Sequence, residues 1–556
     1  MNSKIITKSF YIFLFILLIS NQSCKQEAPV ESNRVIVGLT SDVKTLSPLF
    51  ALSLDEGNIS ELLFLSLIQP EWNDVKSNLE IKPMFAKSWE WSSDSNSITF
   101  NLRDDVKWSD GENCTAEDVV FSFDVYSDPE VQSRLYGTFE DFYVDKEQHI
   151  DLNKTFEILS PYVLKINFLP GSNPNLFYIA IPVVPKHIYD KISRKDFSTA
   201  KQNLAPVSNG PFLLSKWEKN QSLILKANKN SFLYNSDNIS ELIFKIIPDY
   251  NSRLTQLKNG EIDLMDLIRP DDVPELKQSK NINIIPVKGR EYDYIGWDNI
   301  DPTIFDKNKK IIPNKFFGNV KVRRALTYAI NRNEILDNYL NGYGELAVSP
   351  VTPIFKNSID SNITPYPYDV KKAKELLAEE GWRDSNNDGI LDKNGIKFSF
   401  TLDIPSGNPR RQFASTVVKN NLKEIGIEMN VEQMEMGVFL DNVFGKKINA
   451  WMASWYVPIP IELKPFWYSD LETTPMNLVG YQNKSVDKLL DEMGKKNSEK
   501  RMNELYFQFQ KIIHEDEPVT FLYWMDDIVG YNKRIKNIDI NPLSIIQKCW
   551  NWSISK

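Results

Sequence analysis

Three histidines and three cysteines in 556 residues leave little material for metal or thiol chemistry. His149, His187 and His514 lie far apart, each in a bland setting, and no His-Glu-x-x-His word occurs. A Gly-x-Ser-x-Gly elbow and a phosphate loop ending in Gly-Lys-Ser/Thr are also missing. Carboxylate pairs are common, but no pair stands apart from the rest. Catalysis is therefore disfavoured without being excluded, and no resident cofactor or metal is called for. Basic charge is short as well: 65 Lys and Arg against 74 Asp and Glu give a net charge of −9, where a nucleic-acid binder normally shows a basic face. Apart from Cys24, only Cys114 and Cys549 remain. One possible pair makes no disulfide framework, so two buried free thiols are expected.

Long hydrophobic runs are equally scarce. Only "FYIFLFILLI" (Phe10 to Ile19) stands out, and it falls short of the roughly 20 residues that span a bilayer. Lys4 and Lys8 precede it, and "SNQSC" follows, with small Ser23 directly before Cys24. That order resembles a bacterial lipoprotein signal, in which Cys24 becomes the lipidated first residue of the mature chain. Asn21 stands where the usual motif has Leu, so a simply cleaved secretory signal or an uncleaved anchor are the other readings. The expected leader is 1–23 and the tether 24–32, with the remainder soluble and held in the periplasm or cell envelope.

What the chain does have is length, aromatic residues and alternation. It exceeds the roughly 250–300 residues at which one core stops growing, so two or three lobes are expected. Aromatic residues make up 12%, enough for a ligand cavity or simply for a large core. "RVIVGLT" reads as a buried β-branched strand and "EGNISELLFLSLIQ" as a helix. "KSWEWSSDSNSITFNL" alternates on both sides of a turn, as a hairpin does. Thr115 and Asp118 read as a near capping box. Helices closed by Gly260, Gly381 and Gly426 each lie beside strand-like words. Strands and helices alternate throughout, so the class is α/β.

Two words need weighing. "GNVKVRRALTYAINRNEIL" (318–336) spaces Val322, Ala325, Leu326, Ala329 and Ile330 along one helical face, opened by Asn319. Its Arg323 or Arg332 is expected to make structural ion pairs at the lobe surface. "DSNNDGILDKNG" (Asp384 to Gly395) begins like an EF-hand calcium loop, but Gly395 replaces the bidentate Glu. A polar Asx turn explains the same letters.

Taken in order, the words resemble the large extracellular solute-binding proteins of ABC importers (family 5), the group of oligopeptide-, dipeptide- and nickel-binding proteins. "VGLTSDVKTLSPLF" looks like the family's first strand and Leu-x-Pro loop. Leu102, Arg103, Trp108, Asp110, Gly111, Ala116, Glu117, Asp118 and Val119 match its most recognisable block. "PVSNGPFLLSKW", "LKNGEIDL", "NVKVRRALTYAINRNEIL", "YDVKKAKELLAEEGW" and "GYQNKSVDKLL" continue the run, with Asn331 in place of the usual Asp.

The resemblance implies a two-lobed type II periplasmic binding fold with an additional domain. Lobe I would comprise about 33–62, 195–288 and 518–556, the extra domain about 63–194, and the opposing lobe about 289–517. The implied function is capture of a peptide or similar small organic solute by a monomer, for delivery to a membrane permease and its ATPase. A nickel-chelate, haem or oligosaccharide binder on the same fold is the alternative, and a surface enzyme or structural lipoprotein a more distant one. One cleft wall would come from Trp451, Ser454, Trp455 and Tyr456, the other from loops around Ser41 and Asn209. Peptide-binding relatives place an acid for the ligand's α-amine soon after this Trp-containing strand. Here Pro458 takes that place and Glu462 is the nearest acid.

Overall fold

The computed structural model describes residues 33–555, so Cys24, the expected leader and the tether lie outside it. One eleven-stranded sheet organises the chain. Its order is Glu428–Met434, Ser399–Pro405, Ala450–Tyr456, Ile282–Trp297, Val519–Asn532, Leu264–Met265, Arg34–Leu39, Glu241–Ile246, Ser222–Ala227 and Phe212–Glu218, with Gly344–Leu346 also paired to Val519–Asn532. The expected hairpins form: Phe212–Glu218 with Ser222–Ala227, and Ala86–Trp91 with Ser97–Leu102 inside a separate four-stranded sheet.

Two long strands join the halves of the large sheet. Ile282–Trp297 and Val519–Asn532 run antiparallel from Ile282 opposite Asn532 to Gly296 opposite Val519. Their register slips between Lys288 and Tyr292. Gly289 lies within that slip, and a side chain there would collide with the Met525 carbonyl. Each half of the pair has different neighbours: Leu264–Met265 at one end, Ala450–Tyr456 at the other.

Four buried apolar clusters follow from this layout. The largest runs from Val35 through Phe100, Phe123 and Leu164 to Phe244 and Trp552. The stretch 63–194, expected as an extra domain, thus shares its core with the strands beside Arg34–Leu39. A smaller cluster around Leu254, Leu257 and Ile528 covers the other face nearby. Trp297, Leu326, Phe398 and Leu422 anchor a third cluster, and Tyr292, Trp467, Phe509 and Phe521 a fourth. Cys114 and Cys549 are buried and free.

The 318–336 word folds as two helices, Val320–Ala329 and Arg332–Asn338, rather than one. Asn319 caps the first, accepting from Lys321 N at 2.7 Å, and Asn331 caps the second. All five apolar positions of its face are buried, as their spacing requires. The arginine expectation is corrected. Arg323 and Arg332 are only 2% and 4% exposed, and their partners are backbone carbonyls. Arg323 donates to Phe317 O (2.7 Å), Asp516 O (2.8 Å) and Glu517 O (2.8 Å). Arg332 donates to Ala347 O, Phe521 O and Tyr366 O. The physical reason is that the last carbonyls of a helix lack intrahelical donors. Glu499–Asp516 ends against Arg323, which supplies them.

Candidate functional site

A cavity of about 230 Å³ opens where the two long strands pass the carboxyl end of Arg34–Leu39. Leu39, Thr40, Leu54, Asp55 and Asn58 form one side, and Asp266 and Leu267 extend it. The crossing strands contribute Val287, Glu291, Asp527 and Val529, and the 541–545 loop closes the edge. Tyr456 reaches in from the opposing half. A crevice at strand ends between two sheet halves is where an α/β fold presents a ligand.

Next to it stands an arginine-rich wall. Arg290 lies over the Tyr456 ring, 4.4 Å from its centroid, and donates to the Tyr456 hydroxyl. Arg410 opens the helix Pro409–Glu424 and holds the fully buried Asp293 through two bonds of 2.8 and 3.2 Å, with Glu291 at 3.4 Å. Tyr523 donates to the same Asp293 at 2.9 Å. Arg411 donates to Ser454 Oγ at 2.7 Å. The Nε donors of Arg290 and Arg411 are buried and have no partner among the described residues.

The expected wall residues divide sharply. Tyr456 lines the cavity and is 46% exposed. Ser454 is held by Arg411 beside it. Trp455 stands at an apolar recess with Tyr292, Tyr294 and Phe466, edge-on to Phe466 at 4.7 Å. Its indole N–H is buried and has no partner among the described residues. Trp451 is fully buried, its ring filling the space a side chain at Gly296 would take, so its place is core rather than cleft wall. Asn209 is likewise corrected: it is 2% exposed, accepts from Leu65 N at 2.9 Å and contacts Cys114 Sγ at 3.5 Å. Ser41 is exposed in the loop just beyond Thr40, outside the cavity lining.

Glu462 already has a partner. It accepts from Tyr178 Oη at 2.8 Å, across the gap between 63–194 and 289–517. The same two regions touch through Trp72 and Phe355, with ring centroids 5.6 Å apart, and through Asn173 Nδ2 and Lys495 O at 3.4 Å. These residues therefore bring the two stretches into contact at that margin.

The EF-hand-like loop spends its carboxylates on itself. Asp384 accepts from Asp388 N and Gly389 N, Asp392 from Ser385, and Asp388 pairs with Lys397. His149 and His187 pair with Asp124 and Asp110, while His514 stacks on Tyr366 and is pushed down to about 4 by burial. Among the described residues no group of three His, Cys, Asp or Glu is placed to hold a metal ion. None of their helices is long and apolar enough to cross a membrane.

Sequence reasoning passed over Arg290, Arg410, Arg411, Asp55, Asp266, Glu291 and Asp527. "NPRRQF" carried one signal, a capped helix start with two arginines, at which Asn408 does accept from Arg411 N. The acids carried none, because the chain is acidic everywhere.

Comparison with known proteins agrees with this geometry. The chain is 28% identical over 547 residues to the oligopeptide-binding protein AppA of Bacillus subtilis, covering 97% of this chain and 95% of that protein. The structure of that AppA in complex with a nonapeptide matches with a TM-score of 0.72 at 27% identity, over 94% of this chain and 99% of that one. NikZ of Campylobacter jejuni, solved in complex with Ni(L-His), matches with a TM-score of 0.74 at 26% identity, over 94% of this chain and 100% of that one. A family model described as bacterial extracellular solute-binding proteins, family 5, matches residues 80–478. That span is well over half of the sequence, and the chain belongs to the bacterial extracellular solute-binding proteins of family 5.

Proposed function

We propose that this protein is the substrate-binding lipoprotein of an ABC importer, closing on a peptide or peptide-like solute and passing it to a membrane permease. The observation that carries the peptide reading is an open strand edge. Ala450–Tyr456 pairs with Ile282–Trp297 along its whole length, but with Ser399–Pro405 only at Trp451 opposite Asp403. Beyond Trp451 that edge has no strand partner among the described residues, and it ends at Tyr456 in the cavity. An extended ligand can add there as a further strand, reading little of its own side-chain sequence. Ser454, Trp455 and Tyr456 would flank it, with Ser41 near the opposite rim. Relatives whose names state peptide binding support the same ligand class.

The lobes would be 33–62 with 195–288 and 518–556, and 289–517, with 63–194 added to the first. They would hinge where the register slips at Gly289. Ligand binding shifts such an equilibrium only through contacts made better in the closed form.

Calorimetry or tryptophan fluorescence against a mixed peptide pool should show saturable binding. Trp455→Ala should weaken it by roughly 1–3 kcal/mol, the usual range for losing a packed aromatic contact. A nickel chelate that binds where no peptide does would replace the peptide reading.

Anchoring rests on the short apolar run and Cys24, and places the mature protein in the cell envelope. Labelled fatty acid should enter the wild-type protein in a bacterial host. Equal labelling of Cys24→Ala would show the attachment to lie elsewhere.

A further inference from the structure

We infer that the cavity takes a positively charged organic group of the ligand, an ammonium or guanidinium, paired with Asp266 and Asp527. This inference rests on the peptide reading above and names the chemistry of one subsite.

Among the described residues four carboxylates line the cavity, Asp55, Asp266, Glu291 and Asp527, and no lysine, arginine or histidine lines it. Glu291 has Arg410 at 3.4 Å. The other three, half-buried in the cavity lining, have no ion pair and no side-chain hydrogen bond among the described residues. The nearby cations are committed elsewhere. Arg253 is 3% exposed and donates to Ile247 O at 2.8 Å. Arg290 is spent on Tyr456. Arg253 and Arg290 offset the acids' charge only through space, without a direct pair, and a ligand cation would supply that pair.

The shape adds a second constraint. Leu39, Val287, Val529 and Ile545 stand beside the acids, a lining suited to the methylene stem of a lysine- or arginine-like chain. About 230 Å³ is ample for a group of side-chain size. The acids are not grouped for a metal ion, which favours an organic cation.

Their titration agrees. Burial first, then Asp55, holds Asp266 up at about 7. Burial and Glu291 hold Asp527 up at about 6. Facing Asp266 are Asp55, Asp527 and Arg253, and facing Asp527 are Glu291, Asp526 and Arg290. Glu56 adds to the burial that raises Asp55. At pH 7 Asp266 is about half protonated and Asp527 mostly ionised, and both take up protons as pH falls, losing the charge that pairs with the ligand. The affinity for a cationic ligand should therefore fall as pH drops from about 8 to 5, with that for a neutral analogue unchanged.

The test titrates the full mature protein with tetrapeptides in which alanine is replaced by lysine at each position in turn. Matched peptides carry norleucine in place of lysine, and both sets are made with free and with acetylated amino termini. Wild-type protein should lose at least about tenfold in affinity when the relevant cation is removed. The arm that shows the loss tells whether a side chain or the α-amine enters the cavity. In Asp266→Asn and Asp527→Asn the gap should shrink to less than about threefold while the neutral peptides still bind, which also shows that the variants fold. Equal binding of all peptides by the wild type, or an undiminished gap in both variants, overturns the subsite and leaves the peptide reading intact. If no peptide binds, the peptide reading fails, and agmatine serves as the free organic cation. Agmatine binding that Asp266→Asn abolishes would uphold the cavity's preference, and no binding of agmatine would overturn it.

Discussion

A chain ended at residue 515 should fail to fold in either half of the large sheet, and not in the first lobe alone. The lost strand, Val519–Asn532, lies between Ile282–Trp297 and Leu264–Met265 and also carries Gly344–Leu346. Its side chains enter all four cores. Val529 belongs to the first, Ile528 to the second, Leu522 and Tyr523 to the third, and Phe521 and Trp524 to the fourth. Thr520 accepts from the buried Trp297 indole at 2.9 Å. Burying one large apolar side chain contributes roughly 1.5–3 kcal/mol, so these six alone match the roughly 5–15 kcal/mol by which a domain is stable. Truncation also removes the fully buried Trp552. Near-ultraviolet dichroism and limited proteolysis of the truncated chain should show no native packing. A cooperative melt with native dichroism would mean that the halves fold without their shared strand.

That strand shows what local sequence reveals and what it withholds. "VTFLYW" announces itself as a buried strand through an unbroken apolar run. Its pairing with residues more than 200 positions earlier has no local signature. The partner strand is harder to see. "YDYIGW" reads as a strand, but Pro286 and Gly289 interrupt the pattern of the preceding "INIIPVKGRE", although one strand runs through all of it. Pro286 sits opposite Ile528, and Gly289 is required by the approach of the Met525 carbonyl, a fact of tertiary packing. Caps and hairpins were legible because their partners lie within a few residues, as with Asn319 and Lys321 N.

The site was legible in part for the same reason. Tyr456 ends its strand and lies in the cavity, a result that position along a strand can suggest. Trp451 looks equally suited to a ligand in the sequence, yet the parity of the strand and the gap at Gly296 put its ring in the core. Asp266 and Asp527 are ordinary letters in "DLMDLI" and "WMDDIVG". Only the meeting of several separate chain segments around one cavity makes them unusual.

Arg323→Met should destabilise the protein by about 3–5 kcal/mol, the range expected when a buried, hydrogen-bonded charge network loses one member. Methionine fills much of the same volume, so the loss is chiefly of donors. Three carbonyls, on Phe317, Asp516 and Glu517, would be left buried without them. Each unsatisfied buried acceptor costs about 1–3 kcal/mol, and partial relaxation keeps the total below the sum. Burial pushes the arginine itself down to about 10, which still leaves it charged at neutral pH. Lysine should recover only a small share, because one ammonium cannot reproduce a planar fork aimed at three oxygens. A chain of several cores need not unfold in one step, so a single midpoint is a poor reporter. Hydrogen exchange resolves the question locally. The amides at the end of Glu499–Asp516 and the start of Val519–Asn532 should lose protection first, while those of the hairpin Ala86–Trp91 with Ser97–Leu102 keep theirs. Uniform loss of protection would point to general unfolding. Unchanged protection in Arg323→Met would mean that the helix end is held by its packing and that the arginine is dispensable.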